Sequence, residues 1–149
     1  MKRIAWLGGL IFFVIIGFAL YSAMDTGVKS PILAEGTIEL TPELAGSAQG
    51  ITTLFIIIND ADSPRPMPYG AVKEHLSADF TQPFTFTLTR EKMTMMNPDA
   101  PLPQNMRLKA RLDRDGVAGV DQPGDLVGIV DGVKFGGSGV TLRIDRRIE

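Results

Sequence analysis

The chain contains no cysteine in 149 residues. That absence excludes a disulfide framework, a thiolate metal cage, a cysteine nucleophile and a thioether-linked lipid anchor. Histidine is nearly absent too: His75 is the only one. A serine triad would have to use His75 as its base, and no serine sits in a G-x-S-x-G context. His75 lies in VKEHLSADF, between charged residues, which reads as a surface turn. Basic residues are not in excess, since the net charge is −2. The balance excludes the electrostatic footprint of a nucleic-acid binder. Internal repeats, low-complexity tracts and soluble amphipathic helices are missing as well.

One stretch lacks charge for a different reason. Ile4–Ala23 (IAWLGGLIFFVIIGFALYSA) is twenty residues with no ionisable group of Lys, Arg, Asp or Glu type. About 20 apolar residues span a bilayer as a helix. Lys2 and Arg3 precede the run, which predicts a cytoplasmic N-terminus and a single pass. Trp6 and Tyr21 fall near its two ends, where aromatic rings favour the interface. A cleaved signal peptide is the rival reading. Its apolar region is normally shorter, and Tyr21 is bulky for a cleavage site ending at Ala23. The expectation is therefore an anchor over residues 1–24, a linker over 25–34 and an exported domain over 35–149. Without Lys2 and Arg3 the remainder carries 13 basic and 17 acidic residues, a net charge of about −4.

The remainder reads as β structure. Gly36–Leu40 (GTIEL) alternates polar and apolar. Ile51–Ile58 (ITTLFIII) is β-branched and almost wholly apolar, as in a strand buried on both faces or crossing the centre of a sandwich. Asn59–Pro68 holds three prolines and ends any regular element. Phe84, Phe86 and Leu88 alternate with threonines. Met106, Leu108, Ala110 and Leu112 alternate with Arg107, Lys109 and Arg111. Val140, Leu142 and Ile144 alternate with Thr141, Arg143 and Asp145. Such a period of two marks strands with one dry face and one wet face. The Asp115–Gly116 step is a turn signal. Thr41–Ala48 predicts one helical turn, with Thr41 as cap and Pro42 in the first position. Ala71–Leu76 predicts another. The predicted class is all-β: an antiparallel sandwich of about seven strands, Greek-key, with an Ig-like or cupredoxin-like arrangement.

Few residues carry candidate chemistry. Asp113, Asp115, Asp121 and Asp125 in LDRDGVAGVDQPGDL recur like a calcium loop, but the third early ligand and the terminal Glu are missing. They read as turn caps in an exposed loop. Arg107, Lys109 and Arg111 read as a solvated strand face. Met93, Met95 and Met96 cluster in sequence. Soft thioethers select Cu(I), so these three with His75 form an alternative metal site; blue-copper chemistry lacks its cysteine here, and methionine is also the usual filler of core gaps.

The order of the pieces is the most specific signal. GTIELTPELA, LFIIINDADSPRPMPYGAVK, FTFTLTREKMTMMNP, MRLKARLDRDGVAGVDQPGDL and VTLRID follow one another. Together they resemble the C-terminal periplasmic domain of the cytochrome c maturation protein CcmI, also called CycH, over most of Gly36–Ile148. The resemblance implies a membrane-bound, non-catalytic assembly factor on the periplasmic side of the bacterial inner membrane. It implies contact with the haem-lyase components or with apocytochrome c, and no cofactor. Full-length members carry additional membrane-spanning sequence and a helical tetratricopeptide-type region associated with gripping the apocytochrome. This chain shows neither, so the expectation is a separate partner for that part, or a narrower docking role. The expected contact surface is Arg65, Pro66, Met67, Pro68 and Tyr69, with the Gln122, Pro123, Gly124, Asp125 turn near it. Proline-rich loops lose little entropy on binding, and Tyr and Arg are common anchors.

Overall fold

A computed structural model describes residues 30–64, 67–77, 80 and 83–149. The apolar run, the first half of the linker, Arg65 and Pro66 lie outside these residues. Among those described, no helix is long and apolar enough to cross a membrane.

Seven long strands are present among the described residues: β1 (Ile32–Leu40), β2 (Thr53–Asp60), β3 (Pro68–His75), β4 (Phe84–Thr89), β6 (Asn105–Asp113), β7 (Leu126–Lys134) and β8 (Gly137–Ile144). Two further strands are only two residues long: β5 (Thr94–Met95) and β9 (Arg146–Arg147). They form a three-stranded sheet in the order β4-β1-β8 and a six-stranded sheet in the order β5-β3-β2-β6-β7-β9. The alternating residues behave as their period requires. Phe86, Leu88, Leu142 and Ile144 of the small sheet meet Leu54, Ile56, Ile58, Leu108 and Leu112 of the large one in a single buried core. β2 lies between β3 and β6, as its nearly unbroken apolar run predicts.

Three expectations change. Ala71–Leu76 is not a helical turn; Ala71–His75 is strand, because the whole of β3 pairs antiparallel with β2 from Thr53↔His75 to Asn59↔Pro68. Long-range pairing overrides the local helical tendency of AVKEH. The sandwich is not wholly antiparallel: β8 runs parallel to β1. Thr41 does begin a short helical segment with Pro42 in its first turn, but its side chain makes no cap; its carbonyl accepts from Leu44 N at 3.0 Å instead.

The parallel pair follows from how β8 leaves β7. The chain turns at Phe135–Gly136, and Gly136 N donates to Leu33 O at 2.8 Å. β8 then crosses the core-facing side of β7. At Gly128 the two backbones come so close that a Cβ would sit 1.9 Å from Arg143 O. Gly36 is as tight against Val140 O. No side chain fits at either crossing. Past Ile144 the chain rejoins the large sheet: Asp145 N donates to Val127 O, and β9 pairs with the start of β7.

Gly128→Ala should therefore cost about 1–3 kcal/mol or more, since backbone rather than a movable side chain must give way. Gly119→Ala, with open space around its Cβ, should stay within about 0.5 kcal/mol of the parent. Urea midpoints by circular dichroism check both.

Candidate functional site

The outer face of the six-stranded sheet is where charge, loop and groove meet. β6 turns Arg107, Lys109, Arg111 and Asp113 to that face. Arg107 is exposed, but Arg111 and Asp113 are 1 % and 2 % exposed. The expected solvated ladder is thus covered at one end. The cover is the Arg114–Asp125 connection, which folds back over β6 and β2.

Arg111 explains why it does so. A guanidinium cannot be left bare in a dry place. Its Nη1 donates to Gly119 O at 2.8 Å and lies 3.3 Å from Asp121 Oδ1; its Nη2 donates to Val117 O at 3.3 Å. Nε lies 2.9 Å from Asp113 Oδ2, off the N–H direction, so that contact is an ion pair rather than an aligned hydrogen bond. Asp125 Oδ2 stands 4.0 Å away. The guanidinium carbon rests 4.9 Å from the centre of the Phe55 ring, and Lys73 Nζ lies 5.6 Å from that ring. Cations over an aromatic face are attracted by its quadrupole. Phe55 is therefore buried although it points away from the core.

The aspartates do more than keep the loop soluble. Asp113 and Asp125 are buried and act as caps inside the cluster. Asp113 accepts from Gly116 N at 2.6 Å; Asp125 accepts from Arg114 N at 3.2 Å and Gln122 N at 2.8 Å. Asp115, on the rim, accepts from Val117 N at 2.8 Å. Asp121 receives Lys109 Nζ at 2.5 Å. Burial, and then a contact with Asp115, raises the Asp113 carboxyl above its ordinary range. The Val117 N–H, and then Asp113, lowers that of Asp115. For Asp121 the largest single influence is burial, which raises it, but Lys109 and Arg111 together outweigh that and hold it below its ordinary value.

QPGDL locks the far end of this loop. Gly124 has a φ of 94°, and Asp125 N donates to Gln122 O at 3.0 Å, as in a type II turn. The same turn holds the C-terminal tail: Gly124 N donates to Ile148 O, and Ile148 N to Asp125 O. Gln122 and Pro123 are exposed; Gly124 and Asp125 are buried. Met67 is exposed, Pro68 half-buried and Tyr69 buried. The turn sits near the Thr53–His75 end of the large sheet, and Pro68 at the opposite end. What reaches Pro68 is the preceding stretch, Gly119 and Val120, which share a hollow with it.

The three methionines do not all face one place. Met93 packs into the core, Met95 is half-buried against Gly70, and Met96 is exposed. His75 lies four residues along β3 from Ala71, the partner of Thr94, about 13 Å at strand rise. Among the described residues, no group of three or more His, Asp or Glu is placed to hold a metal ion. Sequence reasoning missed Arg111 and Phe55. The available signal was the pairing of a basic strand with an aspartate-rich, glycine-punctuated loop directly after it.

The family described as cytochrome c-type biogenesis protein H Ig-like domain matches residues 35–145. The chain belongs to this family. The match covers the Ig-like sandwich from β1 to the end of β8, including the Arg111 clamp and the QPGDL turn. It decides between the two sandwich arrangements in favour of the Ig-like one. No curated protein and no solved structure matches the chain.

Two outcomes follow for this cluster. Arg111→Ala should destabilise the domain by about 3–5 kcal/mol, because Asp113 and Asp125 lose their buried counter-charge; denaturant unfolding measures it. The lowered Asp121 carboxyl contributes stability that is present above its ordinary value of 3.8 and lost as pH falls through its lower folded value. Thermal melts should show Asp121→Asn less stable than the parent at pH 7, with the gap closing on acidification below about pH 4.

Proposed function

We propose that this Ig-like domain is a non-catalytic assembly factor of c-type cytochrome biogenesis that works by protein–protein contact. Its partners are components of the haem-ligation machinery or apocytochrome c. The N-terminal apolar run holds it in the bacterial inner membrane in a single pass, with the N-terminus cytoplasmic and the β domain periplasmic. The observation that carries the process is the family match over residues 35–145. The uncharged run behind Lys2 and Arg3 supports the location.

The contact surface in this reading is the Pro64–Lys73 segment, to which Arg65 and Pro66 belong by sequence and in which Met67 is exposed and Pro68 half-buried. Within QPGDL, Gln122 and Pro123 are presented as well. Tyr69, Gly124 and Asp125 are held inside and shape these loops from beneath. The charges of the domain support contact rather than reaction. Arg111, Lys109, Asp113, Asp121 and Asp125 spend their hydrogen bonds on one another and on loop backbone.

Affinity capture of the full-length chain from membranes tests the proposal. Haem-ligation components or apocytochrome c should be recovered, and a deletion strain should lose mature c-type cytochromes. Recovery of none of them, with normal cytochromes in the deletion strain, would reject it.

A further inference from the structure

The exposed apolar side chains of the domain are gathered in one place. Six large ones are exposed among the described residues, and five of them, all but Ile32, lie on the outer face of the large sheet or on the segments bordering it. Scattered singly, exposed apolar residues need no explanation; gathered, they mark a contact site.

Three adjoining hollows run along this face. The first, of about 450 Å³, has Ile57 and Ala71 as floor, with the covered Phe55 at its inner end, Met96 on one wall and Val120 on the other. The second, of about 350 Å³, continues past Met96 to Met67 and Pro101. The third, of about 330 Å³, continues along Ile57 and Val120 toward Lys109 and Asp121. Pro68 borders all three. Joined hollows in a row suit successive side chains of one extended segment, whose same-side residues stand about 7 Å apart. A compact small molecule would fill one hollow and leave the others.

Charge narrows the occupant further. Lys109 and Asp121 neutralise each other at one end. Arg111, beneath the centre, is satisfied by Asp113, Asp121 and two carbonyls. Asp60, at the other end, accepts from Asp62 N at 3.0 Å. The central hollow, between Val120 and Met96, therefore asks for no partner charge, and a charged side chain entering it would lose water without compensation. Met67 and Met96 at the mouth are flexible and polarisable, and such side chains re-pack around differing apolar shapes.

We propose that this face binds an extended, uncharged, apolar segment of a partner polypeptide, seated between the Gly119–Val120 arch and Met96. The inference deepens the proposed contact role by naming the surface and the chemistry of its occupant, but its test does not depend on which partner is served.

The test is calorimetric titration of the full-length chain with a capped peptide alternating valine or leucine with serine. A second peptide carries aspartate in place of the apolar residues. The first should bind and the second should not. Val120→Glu and Met96→Glu, on opposite walls and both exposed, should each weaken binding about tenfold or more with unchanged thermal melts. Equal affinity for the two peptides, or full affinity in both variants, would overturn the proposal. Self-association of the chain that Met96→Glu abolishes would also overturn it, since a second copy would then be the occupant. Failure here together with capture of cytochrome-assembly components would leave the assembly role standing and remove only this groove.

Discussion

A guanidinium buried on the outside of a β-sheet governs the rest of this domain. Arg111 projects from the middle of the large sheet into a place closed to water. Burying such a charge unpaired is prohibitive, so the chain must bring counter-charges and carbonyls to it. It does so with its own next turn. Asp113 is two residues on; Val117, Gly119, Asp121 and Asp125 follow from the returning loop. Once that loop is clamped, Phe55 is sealed beneath it, Gly119 and Val120 become the wall of a groove, and QPGDL is set where it can tie down the C-terminal tail. A hydrophobic residue at 111 could pack as well, but it would not dictate the path of the loop. Here the buried charge specifies shape.

Much of the fold was legible from one strand at a time. The period of two assigned faces correctly along β4, β6 and β8, and the apolar run of β2 placed it between other strands. What a strand pattern cannot report is whether something lies over its wet face. Arg107, Lys109 and Arg111 look alike in sequence, yet they grade from exposed to sealed as the loop closes over them. β3 was hidden because AVKEH has helical character and only its pairing with β2 makes it a strand. β5 and β9 are too short to carry a period. The parallel β1–β8 pair depends on glycines 36 and 128 permitting a backbone crossing, a contact between distant segments. Of the site, the QPGDL turn was read correctly as a turn. Its two further duties, holding Arg111 through Asp125 and holding Ile148, belong to tertiary structure.

The same physics separates the functional readings. A strand turns adjacent methionines to opposite faces: Met93 and Met95 lie together against Gly70, and Met96 borders the outer groove. That separation keeps the three from forming one thioether set and leaves Met96 on the outer groove. The family supplies the process, c-type cytochrome biogenesis. The domain contributes a sandwich whose buried ionic groups are consumed in shaping a loop, beside an apolar face left open.

Amide hydrogen exchange at Arg114, Gly116 and Gln122 tests the clamp most directly. These three N–H groups donate to the buried carboxylates of Asp113 and Asp125. A loop held by Arg111 predicts that all three are protected together with β2 and β6, and that Arg111→Lys, which lacks the planar fork, releases them while the sheet stays protected. Exchange of the three at the rate of an unstructured chain, with β2 and β6 protected in the parent protein, would contradict the account.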